Sequence, residues 1–331
     1  MGYLSRHFTL GVLANLAAAA CALAPLQAAA QAQKFPNRPI KLIVPVPPGG
    51  GVDLLARSIG GKMADRLGVP VLIENRAGAS AAIGTEALAK SPPDGYTIMM
   101  GYTVHATNAL FNPKLPYDTL KDFQPLVYVS YIPLVLVTPP ALPANSVKEL
   151  IALAKVKPGA LSYASGGAGA GAHLSGELFR YLAKVDVTHI PYKGNGPAIT
   201  DLLGGQVSML FDTITTSIQH IRAGKMKALA VTGRKRSSLL PELPTMIEAG
   251  LPEFEVSGWY MMLAPAGIPR DVLELLNSEI NIAIKDPAIG AKLASQGVEW
   301  EGGSPERANE FLRSEMTRWG KIIKETGMKA D

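Results

Sequence analysis

The residues best suited to hold a ligand are glycines set just before helix starts. Pro47-Pro48-Gly49-Gly50-Gly51 follows an apolar β-branched run, and Asp53 stands where the next helical pattern begins. Gly78-Ala79-Ser80-Ala81 comes shortly after a second such run, and Ser165-Gly166-Gly167-Ala168-Gly169-Ala170-Gly171 follows a third. Glycine lets a backbone come close to a guest, while the free N–H groups of a helix's first turn and the positive end of its dipole attract a carboxylate or phosphate. Any one of these loops is equally a plain strand-to-helix turn, with Asp53 as its N-cap. Three at the carboxyl ends of strands, the edge where open α/β sheets bind ligands, point to loops from two bodies facing one cleft.

Other chemistries fit less well. Gly167-x-Gly169-x-x-Ala172 matches the dinucleotide fingerprint, but a stretch this rich in Gly and Ala meets a short pattern easily, and an exported chain has little nicotinamide cofactor available. There is no Gly-Lys-Ser or Gly-Lys-Thr for a Walker loop, and Gly78-Ala79-Ser80-Ala81-Ala82 lacks the last glycine of a nucleophile elbow. His105, His173, His189 and His220 do not pair at metal-ligand spacing. His173, at a helix start, is the one placed toward the cleft. Asp212 ends an apolar strand, where it either accepts a hydrogen bond from a ligand or caps a helix over 216–223. Lys193 and Asn195 either reach the cleft or shape a turn. An exported hydrolase or dehydrogenase is the rival reading; the residues favour binding without catalysis, metal or cofactor.

The chain has 331 residues, 47% of them apolar, enough for two medium cores. Arg6 and His7 precede an apolar run over 8–24, then small residues at Ala28-Ala29-Ala30 and Ala30-Gln31-Ala32, the order of a cleaved secretory signal. A signal over 1–30 predicts a periplasmic protein. The single cysteine, Cys21, lies inside the apolar run, so cleavage removes it; acylation at Cys21 as a lipoprotein ranks second, because Ala18-Ala19-Ala20 precede it. The formal charge of +5 falls by one with Arg6. Basic residues are scattered, and Arg234-Lys235-Arg236 lacks interleaved aromatics, which argues against nucleic acid. Beyond the leader no apolar run is long enough to span a bilayer.

Alternation of β-branched runs with helical periodicity predicts parallel sheets with crossover helices. Strands are expected at 41–46, 69–74 and 97–100 with helices over 52–67 and 81–90. A second set has strands at 161–164, 187–190, 207–211 and 227–231. Between the sets runs the extended segment 127–138 and after them 255–264, two candidate hinge crossings. Helices over 269–285, 287–296 and 304–325 form a tail that would pack back on the first body.

These features together resemble the Bug proteins, extracytoplasmic solute receptors of tripartite tricarboxylate transporters. The resemblance rests on Pro39-Ile40-Lys41-Leu42-Ile43-Val44-Pro45 with Pro48-Gly49-Gly50 and Asp53, on Glu74-Asn75-Arg76 with Gly78 and Ile83-Gly84, and on Pro93-Asp94-Gly95-Tyr96-Thr97. It continues through His173-Leu174, Pro191-Tyr192-Lys193-Gly194, Asp212, Gly302-Gly303-Ser304-Pro305 and Trp319-Gly320-Lys321. It implies the periplasmic binding protein fold of the second type, with two lobes, a ligand cleft between them and two hinge strands. The first lobe would be 34–136 with 256–331, and the second 137–255. It also implies a monomer that captures a small organic acid and hands it to membrane transporter subunits, with a sensor kinase as the alternative client. Pro48, Gly49, Gly50, Asp53, Gly78, Ala79, Ser80, Ala81 and Thr103 would contact the ligand from the first lobe, and Ser165, Gly169, His173 and Asp212 from the second. The family usually has paired glycines where this chain has Ser80-Ala81, so the pocket wall there is expected to be narrower.

Overall fold

The computed structural model describes residues 35–328 except 50, 168, 193, 194, 295 and 296. The expected signal, Gly50 and Lys193 therefore lie outside the described residues.

The first three strands, β1 (Ile40–Val44), β2 (Val71–Asn75) and β3 (Thr97–Tyr102), are joined by the helix α1 (Gly51–Leu67) and by α2 (Ala82–Ala89). A short α3 (Val104–Phe111) leads to the 16-residue strand β4 (Phe123–Thr138). Then come α4 (Val147–Val156), β5 (Ser162–Ser165), α5 (Gly171–Ala183), β6 (Thr188–Pro191), α6 (Asn195–Leu203), β7 (Met209–Thr213), α7 (Ile214–Arg222) and β8 (Lys227–Val231). The chain returns through β9 (Ser257–Pro265) and ends in α8 (Arg270–Ile284), α9 (Pro287–Ala294), β10 (Glu299–Trp300) and α10 (Pro305–Thr326). Local signals account for the boundaries. Ser146 caps α4 by accepting from Glu149 N–H at 3.1 Å while Glu149 reaches back to Asn145 N–H. Ser304 and Pro305 open α10, and Gly327, with φ 67°, ends it.

Two sheets share β4. The first runs β2-β1-β3-β9-β4-β10 and the second β8-β4-β7-β5-β6. β1 is parallel to β2 and β3, and β5 to β6 and β7, so crossover helices cover the sheets, as the period of the sequence requires. β9 is antiparallel to both β3 and β4, which makes β3 run in the same sense as β4, toward the second sheet. β7 is antiparallel to β4, so the parallel strands of the second sheet point back toward the first. The carboxyl ends of both parallel sets therefore face each other across the middle of β4. Tyr102, the last residue of β3, is level with Tyr260 and through it with Ser130, whereas Thr213, the last of β7, is level with Leu134. Four residues of extended chain separate those levels, a gap of about 13 Å.

Each sheet has its own apolar core: Ile43, Met99, Leu263 and Leu312 in the first, Leu136, Phe179, Leu210 and Phe211 in the second. The tail helix corrects one expectation. The early part of α10 places Ala308 and Leu312 in the first core, but Trp319 and Ile322 are buried in the second, with Met328 just beyond the helix. The periodic apolar stripe of α10 thus runs past one body onto the other, and the tail does not belong wholly to the first.

Candidate functional site

The site is built from turns at the facing strand ends, where α1, α2, α3, α5 and α7 all begin. After β1 the backbone turns at Gly49, φ 92°, with open space where a Cβ would stand. Pro48 and Gly49 are exposed. Asp53, only 2% exposed, holds this loop from inside: its carboxylate accepts from Gly49 N–H, Arg57 Nε and Asn75 Nδ2, each at 2.9 Å. The Arg57 guanidinium, followed by the Gly49 and Asn75 hydrogen bonds, outweighs burial and lowers the carboxyl to about 2. Expected to touch the guest, Asp53 is engaged by the protein itself; it takes the Gly49 N–H and so fixes the loop.

The turn after β2 is left-handed for four residues in a row: Gly78 (φ 127°), Ala79 (46°), Ser80 (49°) and Ala81 (71°). Three of these carry a Cβ that clashes in that conformation, at a cost of roughly 1–2 kcal/mol each, so neighbours must impose it. Asn108 Nδ2, from α3, donates to Ser80 O, and Gly84 packs so closely that a Cβ there would lie 2.8 Å from Pro45 Cβ and 2.9 Å from Arg76 O. Ala77 to Ser80 stay exposed while Ala81 is buried. Thr103, 7% exposed, accepts from Trp259 N–H at 3.1 Å and so ties β3 to β9.

Two tyrosines escaped the sequence reading. Tyr102, at the end of β3, and Tyr260, inside β9, are cross-strand partners, and a Cβ on Gly51 would lie 3.0 Å from the Tyr260 hydroxyl. Burial pushes both hydroxyls up to about 12, so they remain protonated donors. Both lie in apolar runs where nothing in the sequence marks them as facing a cleft. Also missed was α3, whose Thr107 Oγ1 meets Gly169 O at 3.5 Å while the adjacent Asn108 holds Ser80. The turns from the two sheets are thereby linked through one helix.

On the second sheet, Gly169 N–H donates to His173 Nδ1 at 3.1 Å. His173 stacks on His189 with ring centroids 4.4 Å apart, and His189 stacks on Tyr163 at 4.8 Å. Ser165 Oγ lies 2.7 Å from His189 Nε2 and accepts from Gly167 N–H. Asp212 is fully buried: Oδ1 accepts from Asn195 Nδ2 at 2.7 Å, and Oδ2 from Ser217 Oγ at 2.7 Å and from Thr216 Oγ1. It accepts from side chains rather than from a helix N–H, so it is no N-cap, and its place is behind the surface, anchoring Asn195. Arg57 and Arg76, the cations nearest the first-sheet turns, are paired with Asp53 and Glu74. What the site offers an anion is thus main-chain N–H, helix starts and neutral hydroxyls. Among the described residues no His, Cys, Asp and Glu group could hold a metal.

Two α/β halves with opposed strand ends around one gap, bridged by a shared long strand and a return strand, define the periplasmic solute-binding fold. Solved structures agree: the chain matches R. palustris Rpa4515 with adipate (36% identity, TM-score 0.78, 89% of this chain and 99% of that one). It also matches MatC (Rpa3494) from Rhodopseudomonas palustris with bound malate (31%, TM-score 0.74, 87% and 100%). The model of the tripartite tricarboxylate transporter family receptor matches residues 55–328, and BugT of Bordetella pertussis is 41% identical over 310 residues, 93% of this chain and 95% of that protein. The chain belongs to this receptor family, whose members are periplasmic solute-binding receptors and not enzymes. Among the described residues no helix is long and apolar enough to cross a membrane.

Proposed function

We propose that the chain is exported by its N-terminal signal and, as a monomer, traps a small organic carboxylate between two lobes for delivery to a tripartite transporter. The opposed carboxyl ends of the two parallel strand sets, about 13 Å apart along β4, carry this reading. The start of α1 just after Gly49 and the left-handed turn at 78–81 would hold one carboxylate through N–H groups, with the Tyr102 and Tyr260 hydroxyls beneath. Ser165, Gly169 and His173 would meet the rest of the molecule. The relatives solved with adipate and malate support a dicarboxylate. Lobe 1 would comprise 34–136 with 256–331 and lobe 2 would comprise 137–255, with the last turns of α10 riding on lobe 2. Higher affinity for the closed form drives closure, and the closed form is what the membrane partner reads.

Isothermal titration of the mature chain against adipate, malate, succinate, citrate, glutamate, benzoate and terephthalate should give one saturable site for at least one acid. Silence across the whole panel would sink the receptor reading. With a binder in hand, Tyr260→Phe should weaken it several-fold with little change in the ligand-free thermal midpoint.

A further inference from the structure

A cavity of about 530 Å³ lies beyond the crossing strands. In the first sheet's order the cleft turns follow β1, β2 and β3, whereas this cavity gathers Tyr128 and Tyr131 of β4, Glu301 after β10 and one face of α10. Arg234, Lys235 and Glu255 close it from the second sheet's side. On β9 the alternation of side chains separates the two places: Tyr260 reaches Gly51, while its neighbour Trp259 donates Nε1–H to Glu315 of α10 at 3.2 Å.

The lining carries equal numbers of acids and bases. Arg234 pairs with Glu255 at 2.7 Å, Arg318 with Glu315 at 2.7 Å, and Arg307 with Glu301. A carboxylate has about four acceptor sites, so one ion pair leaves capacity on Glu255 and Glu301, and the Tyr128 and Tyr131 hydroxyls belong to residues of the same lining. Burial and the surrounding carboxylates push both hydroxyls up, so they stay protonated. Arg318 donates Nη1–H to Glu255 O at 2.6 Å and Nη2–H to Glu315, and so ties two acidic residues of the lining together. One wall is flat and apolar, with Tyr128 stacked on Phe311 at 3.9 Å and 12°.

We propose that this cavity is a second binding site, for a small zwitterion with an aromatic or apolar body. With charges balanced, a guest of one sign gains little from the lining, whereas a dipolar guest gains at both ends. Its carboxylate meets the Lys235 ammonium, its ammonium donates to the Glu255 and Glu301 carboxylates, and its hydrocarbon lies against the Tyr128 and Phe311 stack. The site is independent of the carboxylate cleft, so either assignment stands or falls alone.

L-phenylalanine is the probe, with phenethylamine and 3-phenylpropionate as analogues lacking one charge each. Titration of the mature chain should show one saturable site for phenylalanine, at least tenfold tighter than for either analogue; 3-phenylpropionate is scored only for the part that Tyr131→Ala removes. Glu301→Gln and Tyr131→Ala should each weaken phenylalanine at least fivefold while retaining the melting transition and the affinity for the cleft's acid. No heat with phenylalanine, equal binding of an analogue at this site, or phenylalanine affinity unchanged in both variants would overturn the proposal.

Discussion

The glycine turn of the second sheet and the pair of turns on the first present the same kind of surface but are held by different forces. Around Gly169 the support is close packing: stacked His173, His189 and Tyr163, and behind them Gly176 of α5 seated against the Tyr163 ring. Around Gly49 and Ser80 it is charge and imposed backbone geometry, from Asp53 with its three donors to three left-handed non-glycine residues. A turn at a sheet edge can thus be fixed either from a dry interior or by a polar brace at the rim. The two solutions should fail under different insults.

The largest effect is expected where packing rules. A Cβ on Gly176 would overlap the fully buried Tyr163 ring, whose hydroxyl donates to Glu177 at 2.7 Å. Gly176→Ala should therefore destabilise the fold by about 3 kcal/mol, because the ring cannot leave without losing both that bond and the His189 stack. Denaturant melts at pH 7 check it. A penalty under 1 kcal/mol would mean that the second-sheet turn is not packed as described.

The brace on the first sheet should instead depend on acid. Asp53 is lowered from 3.8 to about 2, so it contributes stability above pH 4 that fades as pH falls through about 2. Allowing for the solvent around half-exposed Arg57, that contribution is roughly 1–2 kcal/mol at neutral pH. Asp53→Asn should cost this much at pH 7 and progressively less toward pH 2. Melts of both proteins along that range check it, and a constant difference would move Asp53 out of the electrostatic class.

Sequence patterns revealed these two halves unequally. Strand runs, helix periods and the glycine loops were visible because they are local: the expected strand at 227–231 is β8 unchanged, and 97–100 lies inside β3. The short α3 gave no such signal, since Val104 to Phe111 mixes polar and apolar residues without a clear stripe. Asp212 looked like a ligand contact or a cap because its partners, Asn195 above all, are brought to it by the tertiary fold. The split of α10 between two cores was hidden for the same reason: an apolar stripe records that a face is buried, not which body buries it.

The smallest effect tests the imposed turn and should have the opposite sign. Ser80 sits exposed at φ 49° between two more left-handed residues, so replacing it by glycine removes steric cost in the folded state. Glycine also gives the unfolded chain more freedom, which offsets roughly 0.4–1 kcal/mol of that gain. The hydrogen bond from Asn108 reaches the main-chain oxygen and survives the change. Ser80→Gly should thus stabilise by about 0.5–1 kcal/mol and raise the thermal midpoint by roughly 1–3 °C. Asn108→Ala should act the other way, since it removes the donor that holds the strained turn, and in the Ser80→Gly background its cost should shrink. If Ser80→Gly lowers the midpoint, the turn is not strained in the free protein and the contrast between a braced rim and a packed interior loses its first half.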